Sequence, residues 1–454
     1  MKSQPCRNFG EKKCYTLAMK YLFACCTALA AISLPAAIGP YATSHVYTDK
    51  ETPCARAGTS SASWTPTDCR GRPVGEDAKN EGVGHGDNAA QFQELCDAGW
   101  RCYMDTWYEK TGLLYECPPE LVQSSTGSIN NMFHWKEGGE YGVGMSDCAL
   151  ICGTALSGLA DRFAVLKDDE TRQDAAKLAR GVLNLAKLHG VKGFVARGIC
   201  ADDGRTICSL SSRDQFTHWV HGLWRYVNSP MADSTLAAEY KILVADVARF
   251  METRVIAARG WNFGLADGGK DPRGICTMWG PDLYPHEQAR LPMIYLAAYE
   301  ATKDGHWLDL YEKYIDEALD LTLLVNDDDQ GKFARRMPCY SLYQANASLE
   351  LIRAYETNAV RRAKITSSMK GFSEMATRRA DICLKRPKTK HYGMCWDGEL
   401  ALTMLMTPGC RQNATLQPFL DQTIRRADLT KSGVCRAAHV MAAYWRARAI
   451  CITK

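Results

Sequence analysis

Residues 211–227 read SSRDQFTHWVHGLWRYV, in which Asp214, His218, His221 and Arg225 follow at steps of four, three and four. On a helix those steps place an acid, two imidazoles and a guanidinium on one face. Such a face can move protons or bind an anion, and it is equally the polar edge of a packed helix. Ser212 with Gln215 three residues on is a capping-box pattern, which starts the helix at the serine and puts Asp214 in its first turn. An acid there also suits the helix dipole, at about 0.3–1 kcal/mol. His218 and His221 as a metal pair lack an indicated third ligand, and a hydrogen-bonded core histidine is the commoner use of that residue.

The same pattern recurs at other predicted helix starts. Asp147 follows a serine in MSDC; Tyr284, His286, Glu287 and Arg290 open another helix; Tyr340, Tyr343 and Asn346 open a third; Trp396, Asp397 and Glu399 open a fourth. Asp147 and Asp214 are the candidate acid/base pair, and His218, Tyr284 and His286 are further catalytic candidates. Asn131, His134, Arg197, Gln215, Trp279, Arg290, Tyr340, Tyr343, Trp396 and Asp397 are candidate substrate-binding residues. Acids, imidazoles and aromatic rings converging on one cavity suit a sugar, because aromatic faces stack on pyranose C–H surfaces while polar groups read hydroxyls. Each residue has a plainer use: Arg197 pairing with an acid, Trp261, Trp279 and Trp396 filling the core. No metal-ligand spacing and no cofactor motif occurs, although scattered oxygen ligands for a divalent ion leave no such signature.

The elements that must position these residues are helical hairpins. Segments 149–163 and 170–188 carry apolar residues at steps of three and four, joined by a short connection. SRDQFTHWVHGLWRYV pairs with TLAAEYKILVADVARFMETRVI, HEQARLPMIYLAAYEAT with HWLDLYEKYIDEALDLTLL, YSLYQANASLELIRAYE with 360–382, and WDGELALTMLM with TLQPFLDQTIRRA. The first helix, QFQELCDAGWRCYMDTWYEK, and the last, CRAAHVMAAYWRARAI, form a closing pair. About twelve helices in six hairpins predict an all-α fold, an (α/α)6-type toroid spanning residues 88–454. The first helix of each hairpin would be inner and the second outer, and the long aromatic connections back to inner helices are where a site is built.

Upstream, Lys2, Arg7, Lys12, Lys13 and Lys20 precede YLFACCTALAAISLPAAIG, the layout of a secretory signal peptide over residues 1–42, with Met19 a second possible start. A membrane anchor is the competing reading, because the run approaches the roughly 18 residues that span a bilayer. Residues 43–87 read as irregular. Sixteen of the 20 cysteines follow the signal, an even number that fits several disulfides in an exported protein. The early cluster Cys54, Cys69, Cys96, Cys102 and Cys117 predicts a disulfide-rich entry segment, whereas Cys148 and Cys152, four apart on a helix, point to separate partners or free thiols. The 454 residues carry 55 basic and 51 acidic side chains with no polybasic block, which argues against nucleic-acid or membrane-surface binding by bulk charge. Oligomeric state leaves no mark in the sequence.

GFVARGICADDGRT, SSRDQFTHWVHGLWRYVNSP and QARLPMIYLAAYEATKDGHWLDLYEKY together resemble the six-hairpin glycosidase superfamily of exported bacterial carbohydrate-active enzymes, over roughly residues 140–360. The resemblance implies an oligo- or polysaccharide substrate, in a periplasmic or extracellular setting. Similarity to unsaturated glucuronyl and rhamnogalacturonyl hydrolases implies a uronate-containing substrate and an aspartate pair on neighbouring inner helices, positions that Asp147 and Asp214 match; the histidine-rich surroundings depart from those families' motifs. A second likeness, to toroid polysaccharide lyases, implies β-elimination: Tyr284 or His286 as base, and Arg197 or Arg290 with Asn131 neutralising the uronate carboxylate, with Asn130 and His134 nearby. A non-catalytic glycan-binding toroid is the third expectation.

Overall fold

A computed structural model of the chain describes residues 89–105, 107–115, 145–201, 204–271, 273–327, 337–385, 394–427, 429 and 434–450, all within the unit Tyr41–Lys454. The expected signal segment and residues 43–87 lie outside them. Twelve α-helices account for most of the described residues: α1 (Ala89–Met104), α2 (Cys148–Leu166), α3 (Asp169–Asn184), α4 (Arg213–Val227), α5 (Ser234–Arg254), α6 (Arg290–Thr302), α7 (Gly305–Leu323), α8 (Cys339–Tyr355), α9 (Ala359–Lys385), α10 (Met394–Leu405), α11 (Leu416–Arg426) and α12 (Val434–Ala449). The expected first helix stops at Met104 instead of running on. Trp107–Tyr108 (β1) pairs antiparallel with Leu113–Leu114 (β2), around a turn whose Gly112 has φ 75°.

The helices are of two kinds, and their sequences explain why. In α2 every residue from Cys148 to Phe163 is buried, and in α8 so are Cys339 and Ser341–Arg353. Helices buried on every face are enclosed by other helices, and their few polar side chains must then find partners inside. By contrast α7 buries Trp307, Tyr311, Tyr314, Ile315, Ala318, Leu319 and Thr322, one stripe at helical spacing, and leaves its acids and lysine outside. Each fully buried Leu, Ile or Phe contributes about 1.5–3 kcal/mol, so the stripes suffice to hold such helices against the enclosed ones.

Contacts among the enclosed helices run α2 to α4, α4 to α6, α6 to α8, α8 to α10, α10 to α12, and α12 back to α2. The remaining helices pack on these as hairpin partners: α3 on α2, α5 on α4, α7 on α6, α9 on α8, α11 on α10, and α1 on α12. The α2–α4 crossing is close because a Cβ at Gly153 would overlap the His218 carbonyl, and one at Gly222 the Gly153 carbonyl. The expected hairpins and closing pair are all present as contacts.

Helix starts divide the same way. Three partner helices open on an aspartate whose side chain caps them: Asp168 accepts from Thr171 N at 2.7 Å, Asp233 from Thr235 N at 2.9 Å, and Asp304 from His306 N at 3.1 Å. Each such cap stabilises by about 1 kcal/mol. The enclosed helices α2, α4, α6 and α8 open without any side-chain cap, leaving the polar groups at their starts available for other contacts.

Cys96, Cys102, Cys148, Cys152, Cys200, Cys208, Cys276, Cys339, Cys383 and Cys410 form no disulfide, and of these only Cys102 is exposed. The expected disulfide staple is therefore unsupported for Cys96 and Cys102, while Cys54, Cys69 and Cys117 lie outside the described residues. Burial pushes the Cys96 thiol well up and the Cys152 thiol to about 12, so both stay protonated and unreactive.

Candidate active site

Two long connections lead into the starts of α4 and α6, and they are tied to each other. Residues 185–212 close on themselves through an Ile199–Ile207 bridge, residues 255–289 through an Asn262–Thr277 bridge. Ala266 N donates to Ser209 O at 2.8 Å and Arg213 N to Ile275 O at 3.1 Å, which joins the two. Asp271 stiffens the second connection by accepting from Arg273 N at 2.8 Å and Cys276 N at 2.7 Å.

Against this frame the acids at the helix starts are clamped by arginines. Asp147, at the N-cap position of α2, accepts from Arg197 Nη2 at 2.5 Å and from Gln215 Nε2 at 2.7 Å. Arg197 also donates through Nε to Ser146 O at 2.6 Å and through Nη1 to Ser212 Oγ at 3.2 Å, so it pins the starts of α2 and α4 together. The expected capping box does not form, because Ser212 and Gln215 are drawn across to this clamp; the helix nevertheless starts where the pattern places it.

Asp214 is held the same way one helix further on. Arg290 Nη1 meets Asp214 Oδ1 at 2.5 Å, and its Nη2 donates to Gln344 Oε1 at 2.7 Å. Burial alone would raise the Asp214 pKa, but Arg290, and then Arg213, outweigh it and hold the carboxyl below its usual range. A third clamp pairs Arg213 with Glu287, whose Oε2 accepts from Tyr284 N at 3.0 Å. There too burial opposes ionisation and Arg213 overcomes it, bringing Glu287 to about 2.

Below the clamps, the polar face of α4 continues inward as a ladder of buried contacts. His218 lies between Thr154 Oγ1 at 3.1 Å and Gln344 Nε2 at 3.2 Å, with the Tyr343 ring 5.3 Å from its own. His221 meets Glu350 at 2.9 Å, and Arg225 meets Asp161. Arg446 from α12 completes a cluster by pairing with both Glu350 and Asp161. Burial drives His218 well below the ordinary histidine value and lowers His221 too, so both imidazoles are neutral. In Glu350 the guanidinium of Arg446 outweighs the burial that would otherwise raise it, keeping it ionised.

The structure sorts the sequence candidates accordingly. Asp147 and Asp214 keep 35% and 24% of their side chains exposed, and Tyr284 and Tyr340 are half-buried. His286 is buried, its ring stacked on Tyr284 at 5.7 Å, and burial brings it down to about 4. Gln215, His218, Arg197 and Arg290 are buried supports. Trp279 and Tyr343 do not serve as sugar platforms: Trp279 is buried edge-on against Tyr314, and Tyr343 sits between His218 and His439. Asp397 is buried at the start of α10, with no hydrogen bond to Oδ1 among the described residues, and burial, only partly offset by Arg426, raises it to about 6. Asn131 and His134 lie outside the described residues, and of the Trp396 side chain nothing is described.

Gln344, Thr154, Glu350, Arg446 and Asp161 complete the site and its support without having been singled out. Gln344 lies one helical turn beyond Tyr340, so the spacing that selected Tyr340 could have found it; the others carry no local signal. Among the described residues no group of three or more His, Cys, Asp and Glu side chains is placed to hold a metal ion. No protein-family model matches the chain, and no curated protein matches it.

Proposed function

We propose that the protein is a glycoside hydrolase of (α/α)6-toroid type, exported, and acting on an oligo- or polysaccharide. The toroid reading is supported by the cycle of enclosed-helix contacts that returns from α12 to α2, with one partner helix on each. The observation that carries the activity is the pair of part-exposed carboxylates, Asp147 and Asp214, at the starts of two adjacent enclosed helices and joined through Gln215. Acid/base hydrolysis requires two carboxyl groups flanking one bond. Held ionised by Arg290, Asp214 takes the base or nucleophile role, and it is not the proton donor. Export rests on the basic residues and apolar run of the first 42 positions.

Elimination is less well supported. The arginines expected to help neutralise a uronate carboxylate, Arg197 and Arg290, are each bonded to an acid of the chain. The deciding experiment incubates the chain from about Thr43 with uronate-containing and neutral polysaccharides, following reducing ends and ultraviolet absorbance together. Reducing ends without new absorbance, lost in Asp214→Asn, are expected. New absorbance would assign β-elimination to Tyr284 or His286, and binding without either signal would make the protein a glycan-binding module. A folded Asp214→Asn variant with full activity would sink the hydrolase reading.

A further inference from the structure

Away from the acid clamps, an open groove enclosing about 990 Å³ of non-protein space, solvent included, runs between α5 and the α6–α7 turn. Its floor is aromatic, but guanidinium groups lie over the rings: Arg249 is 4.6 Å from the Trp307 ring centroid and Arg254 is 5.2 Å from that of Phe250. A guanidinium over a ring is held there by cation–π attraction, and its fork of N–H donors matches a carboxylate. Arg249 shares Glu252 at 2.5 Å yet keeps 52% of its side chain exposed. Among the described residues Arg254 makes no salt bridge. Lys192, 79% exposed, stands on the same groove and pairs with Asp246 at 3.2 Å.

We propose that this groove binds an acidic glycan chain, as a second site outside the clamp of Asp147 and Asp214; the choice of a glycan rests on the hydrolase reading above. The three arginines that clamp the acids near the helix starts, Arg197, Arg290 and Arg213, are each matched by an acid of the chain. Recognition of substrate charge therefore falls to a surface where cations are less fully matched. Thr253 and Thr302 also line the groove; each hydroxyl donates to a carbonyl of its own helix, at 3.0 and 2.7 Å, and while the Thr302 oxygen already accepts from Asp304 N at 3.2 Å, that of Thr253 is left to accept from a sugar hydroxyl. Asp246 and Asp304 in the same wall suit a ligand that mixes hydroxyls with spaced carboxylates and would repel a continuous phosphate backbone.

The test is native gel retardation through polygalacturonate, xylan or no polymer, with double-stranded DNA as a competing polyanion. All proteins carry Asp214→Asn, so that the readout is independent of turnover. Polygalacturonate is expected to retard this protein, and adding Arg249→Gln with Arg254→Gln is expected to weaken retention about tenfold, while far-UV circular dichroism stays unchanged. Turnover of a short oligosaccharide by the wild-type chain should be unaffected by the two glutamines. Equal retardation with and without the arginines, no retardation by polygalacturonate, equal retardation by xylan, or displacement by DNA would each overturn the proposal. A failed hydrolase reading shows separately, in the Asp214→Asn turnover assay.

Discussion

Arg290 lies 2.5 Å from Asp214 through one amino group and 2.7 Å from Gln344 through the other, so one buried guanidinium joins α4, α6 and α8. The carboxylate it holds is the more enclosed of the two proposed to act on substrate. Charge and position of Asp214 thus depend first on a residue 76 positions away in sequence, with Arg213 beside it adding to the charge stabilisation.

Replacing Asp214 by Asn keeps the shape and removes the charge; activity should fall about 10³-fold, and because the buried Arg290 loses its carboxylate, urea unfolding should show a loss of up to about 3–5 kcal/mol. Replacing Arg290 by Met leaves Asp214 half-enclosed without its cation. Its carboxyl then titrates higher, because Arg213 is left as the main group opposing burial, and the acid limb of the kcat/KM profile should move to higher pH. An unmoved limb would show that Arg290 does not set the protonation of Asp214.

The inner cluster of His221, Glu350, Arg446, Asp161 and Arg225 ties α2, α4, α8 and α12 and lies apart from the proposed site. Glu350→Ala leaves Arg446 buried with one partner fewer, and urea unfolding should register a loss of about 3–5 kcal/mol. The double change Glu350→Leu with Arg446→Met removes both charges and should recover part of that loss. Recovery in the double variant distinguishes charge burial from lost packing.

Buried neutral histidines make the fold acid-labile. His286 is lowered from 6.5 to about 4, and His218 and His221 are lowered as well. As pH falls below 6.5 the unfolded chain takes up protons that the folded chain refuses, so stability is full above that pH and declines toward 4. Each histidine contributes a slope of at most about 1.4 kcal/mol per pH unit. Urea midpoints measured from pH 7 to 4 should fall less steeply in His286→Gln than in the wild type.

Gly153 sets the approach of α2 to α4. Gly153→Ala drives a methyl group into backbone at His218, not into a movable side chain, and should destabilise by about 1–3 kcal/mol or more. A thermal melt within a degree of wild type would mean that the crossing relaxes freely.

The two Asn-X-Ser/Thr sequons differ once folded. Asn346 is buried, its amide donating to Thr403 O at 2.8 Å and Thr407 Oγ1 at 3.0 Å, while Asn413 is half-buried and donates to Thr377 at 2.7 Å. Expression through a glycosylating secretory route should leave Asn346 bare in the folded protein, as peptide mass spectrometry can read. A glycan found there would mean that modification precedes folding and is tolerated.

What the sequence determined by itself is local and periodic. Helical spacing located each hairpin, and steps of four, three and four identified the polar face of α4, because both depend only on neighbours along one helix. Composition likewise separated the enclosed helices from the one-sided ones. Partners were beyond reach: Asp214 meets Arg290, His218 meets Gln344 126 residues on, and His221 meets Glu350 129 residues on. Nor could spacing tell a capping serine from one bonded to Arg197, or an open tryptophan from Trp279 buried on Tyr314. Those distinctions arise only when separate helices meet, since the alternatives available to a polar group or a ring are decided by what the rest of the chain places beside it and by how much water that leaves.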